Sequence, residues 1–150
     1  MRQVSIPELN FSPWYSWENR KRYPLKKLPG VYIIAICEKA LEGKIPSFSD
    51  VVYIGMTVRK DGLIGRWRDL DRCLRKGGGS HSGGESILKD KGDYKDWHEK
   101  MYVSGIGIEC NVKEPTPEDY IKMGSVAFLE YDGFAKFAAE VRGHPKYNKK

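Results

Sequence analysis

No run of apolar residues in this 150-residue chain approaches the ~20 needed for a membrane-spanning helix, so no membrane partner is expected. The opening residues, MRQVSIPELN, lack the apolar centre of a secretory signal. Cysteine is scarce: Cys37, Cys73 and Cys110 are far apart and odd in number. That argues against a disulfide framework and fits a reducing, cytoplasmic setting. Without a CxxC pair, no structural zinc site is expected. The glycine-rich GGGSHSGG at residues 77–84 lacks the Lys-Ser/Thr that would complete a P-loop. No Ser-His-Asp arrangement can be read from the spacing of Ser80, His81 and Ser82, and His98 and His144 have weaker claims still.

What is present is a chain with 40% hydrophobic residues, enough to build a core in one domain spanning 1–150. Residues 1–27 form a basic, aromatic N-terminal arm, and residues 28–150 form the core. The formal charge of +6 favours a polyanionic partner. Two stretches concentrate it beside aromatics: NRKRYPLKK, with Arg20, Lys21, Arg22, Lys26 and Lys27, and RWRDLDRCLRK, with Arg68. Cationic side chains neutralise phosphates and aromatic faces stack on bases, so these residues are candidate nucleic-acid contacts.

The pattern of elements is mixed α and β. The arm is expected to be partly helical from about Ser16. GVYIIAI and VVYIGMT read as strands over about 31–37 and 51–56, rich in the β-branched and aromatic residues that suit a pleated surface. The polar connection between them holds no helix-length periodic segment, so the two are expected to pair antiparallel. Ile64, Trp67, Leu70 or Asp71, and Leu74 recur at helical spacing and predict a helix over about 63–76 with one apolar stripe. A glycine-rich loop follows, then short helices near 85–91 and 94–99. MYVSGIGIEC reads as a third strand. The last long segment is mostly helix, with Thr116 as N-cap, Pro117 at the first helical position and Glu118 and Asp119 in the first turn. Gly124 and Gly133 weaken the expectation of one unbroken rod.

Three residues attract chemical attention. On the helix after the second strand, Arg66 and Arg68 point in roughly opposite directions, and only one can face the strands. Arg66, in the first turn, lies nearest Tyr53. Glu130 falls on a stripe with Met123, Val126, Ala127 and Phe134, where a carboxylate is costly unless it holds a partner. A rigid carboxylate of this kind suits Mg²⁺, which takes one or two protein carboxylates and fills its shell with water and phosphate oxygens. His81 lies in the glycine-rich loop.

Taken in order, GVY at Gly30-Val31-Tyr32, YIG at Tyr53-Ile54-Gly55, GRW at Gly65-Arg66-Trp67, Glu130 on a later helix and YN at Tyr147-Asn148 resemble the motif series of the GIY-YIG nuclease superfamily. The resemblance spans residues 30–148. It implies an α+β fold with a small central three-stranded antiparallel sheet flanked by helices. It further implies hydrolysis of DNA phosphodiester bonds with one Mg²⁺ or Mn²⁺ ion held by Glu130. Tyr32 or Tyr53 would be general base, Arg66 would stabilise transition-state charge, and Asn148 would position the site. GSHS is similar to a stretch in the homing-endonuclease branch, which adds His81 to the expected catalytic set. Some members carry a lysine soon after the YIG glycine; here Met56 stands first and Lys60 is the nearest candidate. The connection from Tyr32 to Tyr53 is longer than usual, and Leu70 stands where a basic or aromatic residue often supports the arginine. With no separate DNA-binding domain, the chain looks closer to a restriction-type member, which implies a homodimer. The alternative is a nucleic-acid-binding module that keeps the fold without the activity.

Overall fold

Strand-forming residues gather at three places in this chain, and in the computed structural model, which describes residues 8–77 and 81–149, they meet in one sheet. The elements in chain order are β1 (Tyr15–Ser16), β2 (Gly30–Ile36), β3 (Tyr53–Thr57), α1 (Gly62–Lys76), α2 (Ser82–Lys91), β4 (Met101–Gly107) and α3 (Pro117–Glu140). The sheet runs β1-β4-β2-β3, and every pairing is antiparallel. The expected antiparallel pair of tyrosine strands is therefore present, as β2 with β3. The sheet has four strands rather than three. The extra one is the two-residue β1, by which the arm joins β4 through Tyr15 opposite Val103 and Ser16 opposite Tyr102. So short a pairing has no periodicity to betray it in the sequence.

Alternation along the strands sorts the core into two layers. Tyr32, Ile34, Ile36 and Tyr53 face α1 and α2, where Leu63, Trp67, Leu70, Leu74 and Ile87 pack with Trp17 from the arm. Val31, Ile33, Ala35 and Ile54 face α3, where Val126, Leu129 and Phe137 pack with Trp14. The α1 stripe enters the core through Leu63, with Ile64 only partly buried beside it. The helix can start where it does because Gly62 has φ +68°, and a side chain there would collide with the Lys27 carbonyl. The carbonyls of Leu28 and Lys26 in turn accept the N–H groups of Leu63 and Ile64 at 2.9 and 2.7 Å.

Helix α3 begins as its sequence predicts. Thr116 caps it, Asp119 completes a capping box and Pro117 opens the first turn. Neither glycine breaks it. Gly133 lies against Ile54 on the sheet, so burial offsets the ~1 kcal/mol a helical glycine costs. The arm's helical part is a 3-10 segment, Trp17–Arg22, and the expected helix over 94–99 is two 3-10 turns, Tyr94–Asp96 and His98–Lys100. Helix α2 starts at Ser82, inside the expected glycine-rich loop; residues 78–80 of that loop lie outside the described residues. Among the described residues no helix is long and apolar enough to cross a membrane.

Candidate functional site

The two tyrosines meet because of strand register. Tyr32 lies opposite Gly55 and Tyr53 opposite Ile34, which makes the tyrosines diagonal neighbours on one face. Their ring centroids are 6.1 Å apart. Gly55 leaves space for this: a Cβ at that position would stand 2.5 Å from the Tyr32 ring. The glycine of YIG is thus the floor on which the tyrosine of GVY lies. Trp67 meets the Tyr32 ring edge-on at 6.1 Å and fixes its other side.

His81 closes the group. It is fully buried, and its Nδ1 accepts the Gly84 N–H at 3.1 Å, capping α2. With Nδ1 occupied as an acceptor, the ring proton of a neutral imidazole sits on Nε2. Nε2 lies 2.9 Å from the Tyr32 hydroxyl, so His81 donates and the phenolic oxygen accepts. Burial pushes the His81 pKa down to about 4, and the Arg66 charge pushes in the same direction. The first turn of α2 presses on Tyr53 as well, since a Cβ at Gly83 would stand 2.5 Å from its ring. A positive helix end therefore adjoins the phenols.

Arg66 and Glu130 bear on both tyrosines. Burial raises the Tyr32 hydroxyl pKa well above 10, and a charge on Tyr53 would raise it further; Arg66 opposes this and Glu130 adds to it. Tyr53 is raised by the same burial, with Arg66 lowering and Glu130 raising it. Tyr32 is completely enclosed, whereas Tyr53 keeps 8% of its surface exposed. Arg66 and Glu130 are both half-buried. Thus Tyr32, Tyr53, Arg66, His81 and Glu130 form one electrostatically coupled group assembled from β2, β3, α1, the α2 cap and α3.

Asn148 stands elsewhere. Its side-chain amide accepts the Ile54 N–H and donates to the Ile54 carbonyl, both at 2.9 Å. These bonds tie the chain end to β3, the strand that carries Tyr53 and Gly55. Sequence reading missed Ser82, which lowers the Tyr53 pKa, and Asp69, which opposes Arg66 at His81. The glycine pair after Ser82 is the trace it leaves in the sequence, because only small residues admit a ring so close to a helix start.

The basic residues divide. Arg20 is folded inward: it lies 4.6 Å over the Trp17 ring, donates to the Trp17 carbonyl at 2.8 Å and meets Asp71 at 3.5 Å. Lys21 and Arg22 are exposed and Lys26 half-buried. Lys27, Lys60 and Arg68 converge with Lys113 on an open cleft of about 400 Å³ beside the start of α1. Arg68 is exposed and 3.5 Å from Asp61, on a different face of α1 from Arg66, as the helical angle predicts.

The buried imidazole makes folding pH-dependent. A histidine whose folded pKa lies below its unfolded value stabilises fully above the unfolded pKa of about 6.5 and loses that contribution as pH falls towards 4. The expected loss is roughly 2 kcal/mol at pH 5 and roughly 3 kcal/mol by pH 4. Urea unfolding across this range should show the slope, and His81→Gln should flatten it.

No family model, curated protein or solved structure matches the chain.

Proposed function

We propose that this chain is a divalent-metal-dependent DNA endonuclease of GIY-YIG-like architecture. The observation that carries the reading is the coupling of Tyr32, Tyr53, Arg66, His81 and Glu130, which lie far apart in sequence, into one group at the β2–β3 face. A phenol held between a neutral imidazole N–H and a guanidinium has little use in packing alone. Both partners oppose the burial that raises its pKa, and so favour the phenolate that a base taking a proton from water requires.

A charge on Tyr53 raises the Tyr32 pKa, so one phenol at a time would be ionised, and that one would take the proton from the attacking water. His81 Nε2–H supports the Tyr32 oxygen, and the half-buried Arg66 stabilises charge on the phosphoryl oxygens as the in-line displacement proceeds. The first turn of α2 adds a positive field at the same place. Among the described residues no group of three or more His, Cys, Asp or Glu side chains could hold a metal ion. A caged zinc does not fit such a donor set, but Mg²⁺ shared between one carboxylate, water and the substrate phosphate does. Glu130, the carboxylate felt by both tyrosines, would hold it, and the ion would polarise the phosphate and assist the leaving 3′ oxygen. The Lys27, Lys60, Arg68 and Lys113 cleft would take the backbone of the flanking duplex.

The test is supercoiled plasmid incubated with the protein in Mg²⁺ or in EDTA. Nicked or linear product is expected in Mg²⁺ alone. Glu130→Ala should bind DNA and fail to cut it. Undiminished cutting by that variant would remove the metal role, and binding without cleavage by the native chain would leave a non-catalytic module. For the cleft, replacing Lys27, Lys60 and Lys113 with glutamine should reduce the slope of log K against log salt by up to ~2.7. A slope unchanged in a folded variant would place the duplex elsewhere.

A further inference from the structure

Helix α3 is apolar on two faces. One packs on the sheet. The other carries Tyr120, Ile121, Gly124, Phe128, Tyr131 and Ala135 along a single outward line. The large members are more than half exposed: Tyr120 61%, Ile121 52%, Phe128 52% and Tyr131 62%. At 100° per residue, no charged side chain between positions 120 and 139 falls within about 60° of this line. Ala138 and Ala139, both exposed, continue the stripe, which then runs for about 28 Å. A surface helix normally turns its charges to water along such a face, as α1 does with Arg68, Arg72 and Arg75.

We infer that this face of α3 binds the same face of a second copy of the chain, antiparallel, about a two-fold axis near position 126. The shape of the stripe favours that occupant. A Cβ at Gly124 would meet nothing within 4 Å among the described residues, so the helix has a notch open to the outside. One turn on, Phe128 projects half its ring. In an antiparallel pair centred at 126, Phe128 of one copy falls on Gly124 of the other, and the converse holds by symmetry. The same operation sets Ile121 opposite Tyr131. Antiparallel packing also opposes the two helix dipoles. A surface whose bulge and notch exchange under a two-fold rotation is self-complementary, as an isologous interface requires. Its size is modest. The three aromatic rings expose roughly 100 Å² each. With Ile121 and the alanines, the pair of copies buries about 1,000 Å², near the lower bound for a specific interface. The dimer is therefore weak and concentration-dependent. It does not rest on the endonuclease reading.

Sedimentation of the full chain from about 1 to 200 μM should show mass rising towards that of a dimer, with a dissociation constant of order 10 μM. Gly124→Lys fills the notch and Phe128→Asp removes the bulge, and each should weaken self-association at least tenfold. Both sites face outward, so melting temperature at low concentration should hold within a few degrees, which reports that each variant folds. Mixing the two variants is the decisive arm. The introduced lysine of one variant then meets the introduced aspartate of the other, while the native Phe128 and Gly124 meet at the second contact. The mixture should therefore associate where neither variant does alone. A chain that stays monomeric throughout overturns the proposal. So does self-association indifferent to both substitutions, a mixture no tighter than its parts, or a stripe that binds neutral lipid vesicles while the chain remains monomeric.

Discussion

Tyr32→Phe and Tyr53→Phe should each lower the rate of plasmid cleavage at least ~10²-fold, the usual scale for general base catalysis. Each change removes one hydroxyl. If the tyrosines served packing alone, the cost would be about 1 kcal/mol of stability and almost no rate. The rings would stay in place in either variant, since Gly55 and Trp67 hold the Tyr32 ring by shape rather than through its hydroxyl. Because the phenols act as a pair, the double variant should be scarcely slower than the worse single one. The variant that lacks the base should also lose the rise of rate with pH that ionisation of the phenol sets. Tyr32→Phe would leave the His81 Nε2–H without its acceptor in a fully buried place, so that variant should also be the less stable of the two. Full activity in both variants would mean that the two motifs are present for packing. Multiplicative losses would mean that the hydroxyls act independently.

Arg66→Ala should lower kcat by ~10²–10³, the scale for removing a donor aimed at developing charge. Arg68→Ala should change kcat by less than a factor of about three, since an exposed ion pair of this kind is worth little. The comparison is informative because the residues are two positions apart on one helix and share charge, length and helix propensity. They differ in what they face: Arg66 the phenols and His81, Arg68 the solvent and Asp61. Duplex affinity should move the other way, falling for Arg68→Ala through the cleft. Equal effects on kcat would mean that the electrostatic reach of Arg66 to the tyrosines has no part in the chemistry.

The parts of this arrangement that were legible in the sequence are those written as short local patterns. The α3 N-terminus was readable from Thr116, Pro117 and Asp119 because capping is decided within one turn. The β2–β3 pair was readable because two continuous runs rich in Val, Ile and Tyr are joined by a connection with no helix-length periodic segment. The opposite facing of Arg66 and Arg68 followed from helix geometry alone. What could not be read depends on contacts between distant segments. Arg20 looked like part of a phosphate-binding run, yet Asp71 and the Trp17 ring draw it inward, and that partner lies on α1. His81 could be named as a candidate, but its tautomer and its bond to Tyr32 follow from where α2 begins, which a glycine-rich stretch leaves undetermined. Asn148 could be named as a residue that positions the site, but the groups it binds, the N–H and C=O of Ile54, follow from where the chain end returns to β3.

That last bond has a consequence for solubility. β3 is the outer strand of the sheet, and an outer strand offers unpaired N–H and C=O groups to any other extended chain. Here the Asn148 amide takes both such groups of Ile54, and the Tyr147 N–H takes the Val52 carbonyl at 2.9 Å. Two residues thus imitate a further strand without leaving an edge of their own. On the opposite side, the two-residue β1 is too short to template growth. The outer margin of β3 is occupied at Val52 and Ile54, which leaves an incoming extended chain fewer backbone groups to pair with.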